Sequence, residues 1–112
     1  MAAARREDLY VSVITIMELE VGTLSLARRD PRQAAILRGR LDNRVLRAFA
    51  DRLLPVALAI ARHCAGLHVP NRQPDRDALI AATALVHGMT VVTRNTADFQ
   101  PSGVPTLNPR NA

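Results

Sequence analysis

The sequence predicts an α/β domain built on a parallel sheet. Short runs rich in β-branched residues, such as "LYVSV" and "MTVVT", alternate with stretches of helical periodicity. Strands that alternate with helices pair in parallel through crossover helices. The chain has 112 residues, 48% of them apolar, enough for one domain around a single core. No repeat, low-complexity tract or long linker divides it, so residues 1–112 are expected to form a single domain.

The elements follow in order. "MAAARREDLY" carries basic residues but no apolar h-region, so it does not read as a secretory signal. Leu9 to Val13 reads as a strand. Ser12 or Thr15 can cap the next helix, and Thr15 to Glu18 has the spacing of a capping box. That helix continues through "LEVGTLSLARR", with Leu19, Gly22 and Leu26 on its inner face. Asp30-Pro31 marks a turn and a new helix start. From Arg32 to Phe49 the pattern is amphipathic, with Ile36, Leu37, Leu41, Val45, Leu46 and Phe49 at helical spacing. The remaining positions carry Arg38, Arg40, Asp42, Arg44 and Arg47. Arg52 to Val56 is a short apolar run, read as a buried strand ending near Pro55. "ALAIARHCAGL" is a helix, and His68 to Pro74 a loop. Asp75 to His87 is a helix with Asp75 at its N-cap and Gly88 at C′. Met89 to Thr93 is a strand. Pro101 to Pro109 holds a turn and a last short strand at Thr106-Leu107.

Composition narrows the function. The net charge is +5, and all 15 basic residues are arginines. The planar arginine fork matches phosphate with two parallel hydrogen bonds, so a nucleic acid or an acidic protein is a natural partner. The codon usage of a GC-rich genome gives the same composition without any partner. Tyr10, Phe49 and Phe99 are the only aromatics, which argues against base stacking on an aromatic platform. No apolar run approaches bilayer length, so no membrane partner is expected. Cys64 is the single cysteine, which excludes an internal disulfide and fits a reducing cytoplasm.

In parallel sheets, sites form at the carboxyl ends of strands. Four polar residues fall at such places. Glu18 lies early in the helix after the first strand, Asp77 in the first turn of a later helix, and Asn95 and Asp98 directly after "MTVVT". Carboxylates gathered there suit a hard divalent cation. Each also has a plain structural reading. Glu18 can be the capping partner of Thr15, Asp77 can complement a helix dipole, Asn95 can be a turn residue and Asp98 a loop acid. Asp77 nevertheless shares a stripe with Ile80, Ala81 and Ala84, which directs it toward packed structure, where an unpaired charge is costly. Other chemistries fit less well. His63 and Cys64 are adjacent and do not face one way on a helix, and His68 and His87 have no ligand-like spacing with them. Ser12 lacks a glycine elbow, and no phosphate-binding glycine loop is present.

The segments "LYVSVITIMELEVG", "RLLPV", "DALIAATALVHGMTVVTRNTADF" and "GVPTLNP" together resemble a PIN domain. They are most similar to the VapC-type toxins of toxin–antitoxin pairs, including the FitB-like ones. The resemblance is collinear over most of the chain after Asp8. It implies a three-layer α/β/α sandwich and a Mg2+- or Mn2+-dependent ribonuclease that cuts RNA, is silenced by a cognate antitoxin and forms a homodimer. By motif, Glu18 matches the acid of "T-x-x-E-L" and Asp77 the acid of "D-A-L-I-A", a principal metal ligand. A further acidic position falls at Asn95, and Asp98 then stands for it. The resemblance makes Thr93 and Asn95 substrate-positioning groups and Arg94 a holder of the RNA backbone. The family's opening strand, "hhLDTNhh", carries the other principal acid and has no counterpart in these residues. Two expectations follow: either the natural protein starts earlier, or the chain is a remnant that binds antitoxin or RNA without cutting.

Overall fold

The computed structural model describes residues 6–111. They fall into two compact units, residues 6–54 and 55–111, each taken by itself.

The first unit opens with a 3-10 turn, Arg6–Asp8, followed by β1 (Val11–Ser12) and α1 (Val13–Ala27). Then come α2 (Pro31–Arg40), a π-helical turn (Leu41–Val45), α3 (Leu46–Ala48) and β2 (Leu53–Leu54). β1 and β2 pair in parallel, Val11 with Leu53 and Ser12 with Leu54, and the helices form the crossover between them. Ser12 caps α1: its Oγ accepts the Ile14 N–H at 3.1 Å. Thr15 therefore lies inside the first turn and Glu18 lies beyond it, so the capping box read over Thr15–Glu18 does not form.

Arg38 joins α2 to α1. Its two terminal nitrogens donate to the two carboxylate oxygens of Glu20, both at 2.8 Å, and Asp42 lies 3.5 Å away. The hydrogen bonds from Arg38 hold the Glu20 carboxyl below the usual carboxylate range. Asp30 caps α2 by accepting the Gln33 N–H, with Pro31 in the first turn, as expected. The single helix expected over 32–49 is interrupted by the π turn. Leu37, Leu41, Val45 and Phe49 recur every four residues, between the α period of about 3.6 and a wider turn. Widening the turn keeps this row facing inward, with Leu41 buried.

The second unit contains α4 (Leu58–Leu67), α5 (Asp75–His87), β3 (Val91–Val92), a 3-10 segment (Thr96–Ser102), β4 (Thr106–Leu107) and a closing 3-10 turn (Pro109–Asn111). β3 and β4 pair in parallel, Val91 with Thr106 and Val92 with Leu107. The α/β class with parallel strands is thus observed, in two short two-stranded ladders. Two clusters form the core of this unit. Ile60 and Cys64 of α4 pack on Ala78 and Ala82 of α5, and Ala81 and Ala84 pack with Val91, Phe99 and Val104. The alanines let the α5 backbone come close to its neighbours on both sides. Gly88 ends α5 at φ 66°, with its N–H bonded to Leu85 O and that of Met89 to Ala84 O, a Schellman ending. The helix spans the expected Asp75–His87, with Pro74 and not Asp75 at the N-cap. The Asp75 carboxylate is engaged by Arg72 at 3.2 Å and lies 3.6 Å from His68 Nε2.

Candidate active site

The strand end and turn after β3 deliver the first acid. The Thr93 N–H donates to Leu107 O at 3.0 Å, which ends the ladder. The Asn95 N–H then donates to Thr93 Oγ1 at 3.0 Å, and the Asp98 N–H to Asn95 O at 3.0 Å. "TRN" is therefore the turn that places Asp98 at the start of the 3-10 segment. Phe99, buried beside it, anchors that segment in the core. Ser102 closes it: its Oγ donates to Phe99 O at 2.6 Å and accepts the Val104 N–H at 3.2 Å.

Asp77 comes from the other side, as the third residue of α5. Asp77 and Asp98 line one cleft, together with Leu67, Gln73, Ala81, Phe99 and Ser102. Burial, and then the negative charge of Asp98, push the Asp77 carboxyl above its ordinary value. The donor set is two carboxylates with neighbouring amide and hydroxyl oxygens, and no cysteine or histidine side chain lines the cleft. That chemistry fits a hard cation such as Mg2+ or Mn2+, which binds through one or two carboxylates and completes its shell with waters and substrate phosphate. Among the described residues, no group of three or more His, Cys, Asp or Glu gathers in a metal-holding arrangement.

The other expected site residues have different places. Thr93, Arg94 and Asn95 do not line the cleft. Thr93 and Asn95 shape the turn, and Arg94 is exposed with no ion-pair partner among the described residues. Glu18 is half-buried on α1, in the first unit, with no hydrogen-bond or ion-pair partner among the described residues. Sequence reasoning misses Gln73 and Ser102. Gln73 lies in the loop before α5, outside any helical period, so no spacing signal points to it.

The sequence reading gives Cys64 and His68 no ligand-like spacing, yet their four-residue separation brings them together at the end of α4. Cys64 Sγ lies 3.8 Å from His68 Nε2, one helical turn apart. His68 Nδ1 accepts the Gln73 N–H at 3.0 Å, which ties the loop before α5 to the end of α4. Burial and the Asp75 charge push the Cys64 thiol above its usual value, so it is a packing group and a poor nucleophile.

The family model of the PIN domain matches residues 1–100. This chain belongs to the PIN-domain family. Curated relatives cover nearly all of the same span. VapC ribonuclease Y4jK of Sinorhizobium fredii is 37% identical over 108 residues, 92% of this chain and 76% of the relative. Plasmid stability protein StbB of Pseudomonas syringae pv. tomato is 37% identical over 111 residues, 95% and 78%. Toxin FitB of Neisseria gonorrhoeae is 34% identical over 108 residues, 92% and 76%. Among solved structures, FitAcB from Neisseria gonorrhoeae superposes with a TM-score of 0.87 at 32% identity, covering 97% of this chain and 81% of that one. FitAB bound to an IR36 DNA fragment gives 0.84 at 32% identity, covering 95% and 76%. The parallel strands and the helices described above are therefore those of a PIN domain.

Proposed function

We propose that this PIN-domain protein is the endoribonuclease toxin of a type II toxin–antitoxin pair and hydrolyses RNA phosphodiester bonds with Mg2+ or Mn2+. The observation that carries this reading is the pair Asp77 and Asp98, brought from α5 and the 3-10 segment into one cleft, with Asp77 strained toward its neutral form by burial and by its neighbour's charge. The names of the relatives support it: one is a VapC ribonuclease and one a toxin.

Asp77 and Asp98 hold the cation in this account. Glu18 is proposed as a further acid on the strength of its "T-x-x-E-L" pattern alone, with no place in the cleft assigned to it. When bound, the cation supplies charge neutralisation on the phosphodiester and lowers the pKa of water. Asp77 and Asp98 offer only acceptor oxygens once ionised, which suits them to hold a cation. Arg94 contributes two parallel hydrogen bonds to the RNA backbone. Thr93 and Asn95 keep the turn that positions Asp98. The likeness to FitAB and FitAcB supports a cognate antitoxin protein as partner. A homodimer and a cytoplasmic location complete the reading. No described helix is long and apolar enough to cross a membrane.

A second reading has its own observation: the cleft holds two carboxylates, and Asn95 is an amide where the family pattern has an acid. It makes the chain a binding protein for antitoxin or RNA without turnover. One experiment separates the two. The purified chain is incubated with RNA in EDTA, then with Mn2+ restored, beside Asp77→Asn and Asp98→Asn. Cleavage that stops in EDTA, returns with Mn2+ and falls at least about 100-fold in Asp77→Asn supports the enzyme. Antitoxin or RNA binding with no metal-dependent turnover supports the binding protein.

A further inference from the structure

The net charge of +5 is not spread over the chain. Residues 28–47 hold seven arginines and two aspartates, a balance of +5, and the other 92 residues hold eight arginines and eight acids. Codon usage gives arginine everywhere and does not explain this segregation. The two aspartates in the segment are already engaged. Asp30 caps α2, and Asp42 faces Arg38, which Glu20 also neutralises. Arg32, Arg40, Arg44 and Arg47 are exposed, and none has an ion-pair partner among the described residues.

No salt bridge among the described residues engages these four, although Arg40, Arg44 and Arg47 stand in the last turns of α2, the π turn and α3, where a cation also complements a helix dipole. Arg28 and Arg29 stand at the carboxyl end of α1, where a cation complements the helix dipole. Arg32 sits in the first turn of α2, the end that disfavours a cation. Arg44 lies within the π turn, whose buried residue is Leu41, and it points its charge to solvent. Arg40 to Arg47 spans about 10 Å of helix axis. Ile36 is the only large exposed apolar residue in the segment, so the face lacks the apolar centre of a protein–protein interface.

We infer that Arg32, Arg40, Arg44 and Arg47, on α2 and the π turn and α3 that follow, form a phosphate-binding face that takes the backbone of single-stranded RNA. The inference deepens the ribonuclease reading by naming a surface that grips substrate, and it rests on that reading for the choice of RNA. The face binds by charge and forked hydrogen bonds, so it carries no base sequence information.

The test is fluorescence anisotropy of a labelled single-stranded RNA oligonucleotide in EDTA, across a salt series. The proteins are wild type, the triple variant Arg40→Gln/Arg44→Gln/Arg47→Gln, and a control of equal charge loss, Arg62→Gln/Arg76→Gln/Arg110→Gln. Each lost phosphate contact lowers the log–log salt slope by about 0.7 for a single strand, so the first triple should lower it by about 2. Between about 50 and 200 mM salt, wild type then loses roughly twentyfold more affinity than that variant. The control should keep the wild-type slope, and Lys at the same three positions should keep most of it. Circular dichroism and the urea midpoint check that each variant folds. Equal slopes for wild type and the first triple overturn the inference. So do equal losses in the two triples, which assign binding to total charge. Poly-glutamate that binds this face as tightly as RNA does overturns it in favour of an acidic protein. Cleavage is read separately with Mn2+. RNA binding lost in the first triple, with no cleavage by wild type, keeps the face and removes the ribonuclease reading. Cleavage by wild type with equal binding by both proteins does the reverse.

Discussion

Ile60→Ala tests how the second unit is held together. Ile60 is 1% exposed and is the largest fully buried side chain among the described residues. It packs on Cys64, Ala78 and Ala82, with the partly buried Leu67 and Leu79 around them. The substitution removes three carbons, a transfer loss of about 2.4 kcal/mol at about 0.8 per carbon. The cavity adds to this when the walls cannot move. Two of the walls here are alanines with no rotamers to swing, and Cys64 is short. The cost therefore belongs in the upper part of the usual range of about 2–5 kcal/mol, near 4. That is a large share of a typical total of about 5–15 kcal/mol. Urea unfolding followed by far-UV circular dichroism should show the midpoint lowered by about 2 M for a slope near 2 kcal/mol per molar. Ile60→Val should cost only about 1 kcal/mol. A loss below about 1 kcal/mol for Ile60→Ala would refute the α4–α5 packing described above, or show that Leu67 or Leu79 refills the space.

Three further outcomes follow from particular residues. Asp77 is held above its ordinary value, so its neutral form favours the folded state. That contribution is complete below the unfolded carboxylate pKa and is lost as pH rises through the raised value. In EDTA, Asp77→Asn should therefore be more stable than wild type at neutral pH, and the gain should vanish at acid pH; thermal melts at several pH values check this. Glu20 is held low by Arg38, so its contribution is present above the unfolded carboxylate pKa and is lost as pH falls through the lowered value. Arg38→Gln should remove that acid-side loss, read as the pH dependence of the urea midpoint, and the difference should shrink in high salt. Cys64 is buried, with a raised thiol pKa, so native protein should react with a thiol reagent far more slowly than urea-unfolded protein at the same pH.

How much of this was legible depended on whether the signal was local. α5 is readable from Asp75 to His87 because an acidic start, small apolar residues at helical spacing and Gly88 coincide. Its cap is not readable, because Asp75 is drawn to Arg72 and His68, which only the folded loop brings near. The four-residue spacing of Leu37, Leu41, Val45 and Phe49 satisfies an α-helix loosely and a widened turn well, so the π segment hides inside an ordinary amphipathic pattern. Three strands read as five-residue runs, but their ladders span two residues each, because pairing depends on a neighbour remote in sequence; the last strand, Thr106–Leu107, is observed as read. Within the site, Asp77 stands out as a charge on an apolar stripe. Asp98 looks like any loop acid until the Thr93–Asn95 turn carries it into the Asp77 cleft. Glu18 looks like a capping acid until Ser12, in place of Thr15, takes the N-cap one turn earlier.

The measurement that tests the central claim most directly is Mn2+ binding by the purified chain, followed by the loss of the free-ion electron paramagnetic resonance signal. Wild type should bind Mn2+, and Asp77→Asn and Asp98→Asn should each weaken that binding by at least about tenfold, or about 1.4 kcal/mol. Wild-type affinity retained in both variants, with their folds intact, would contradict the assignment of this cleft as the metal site.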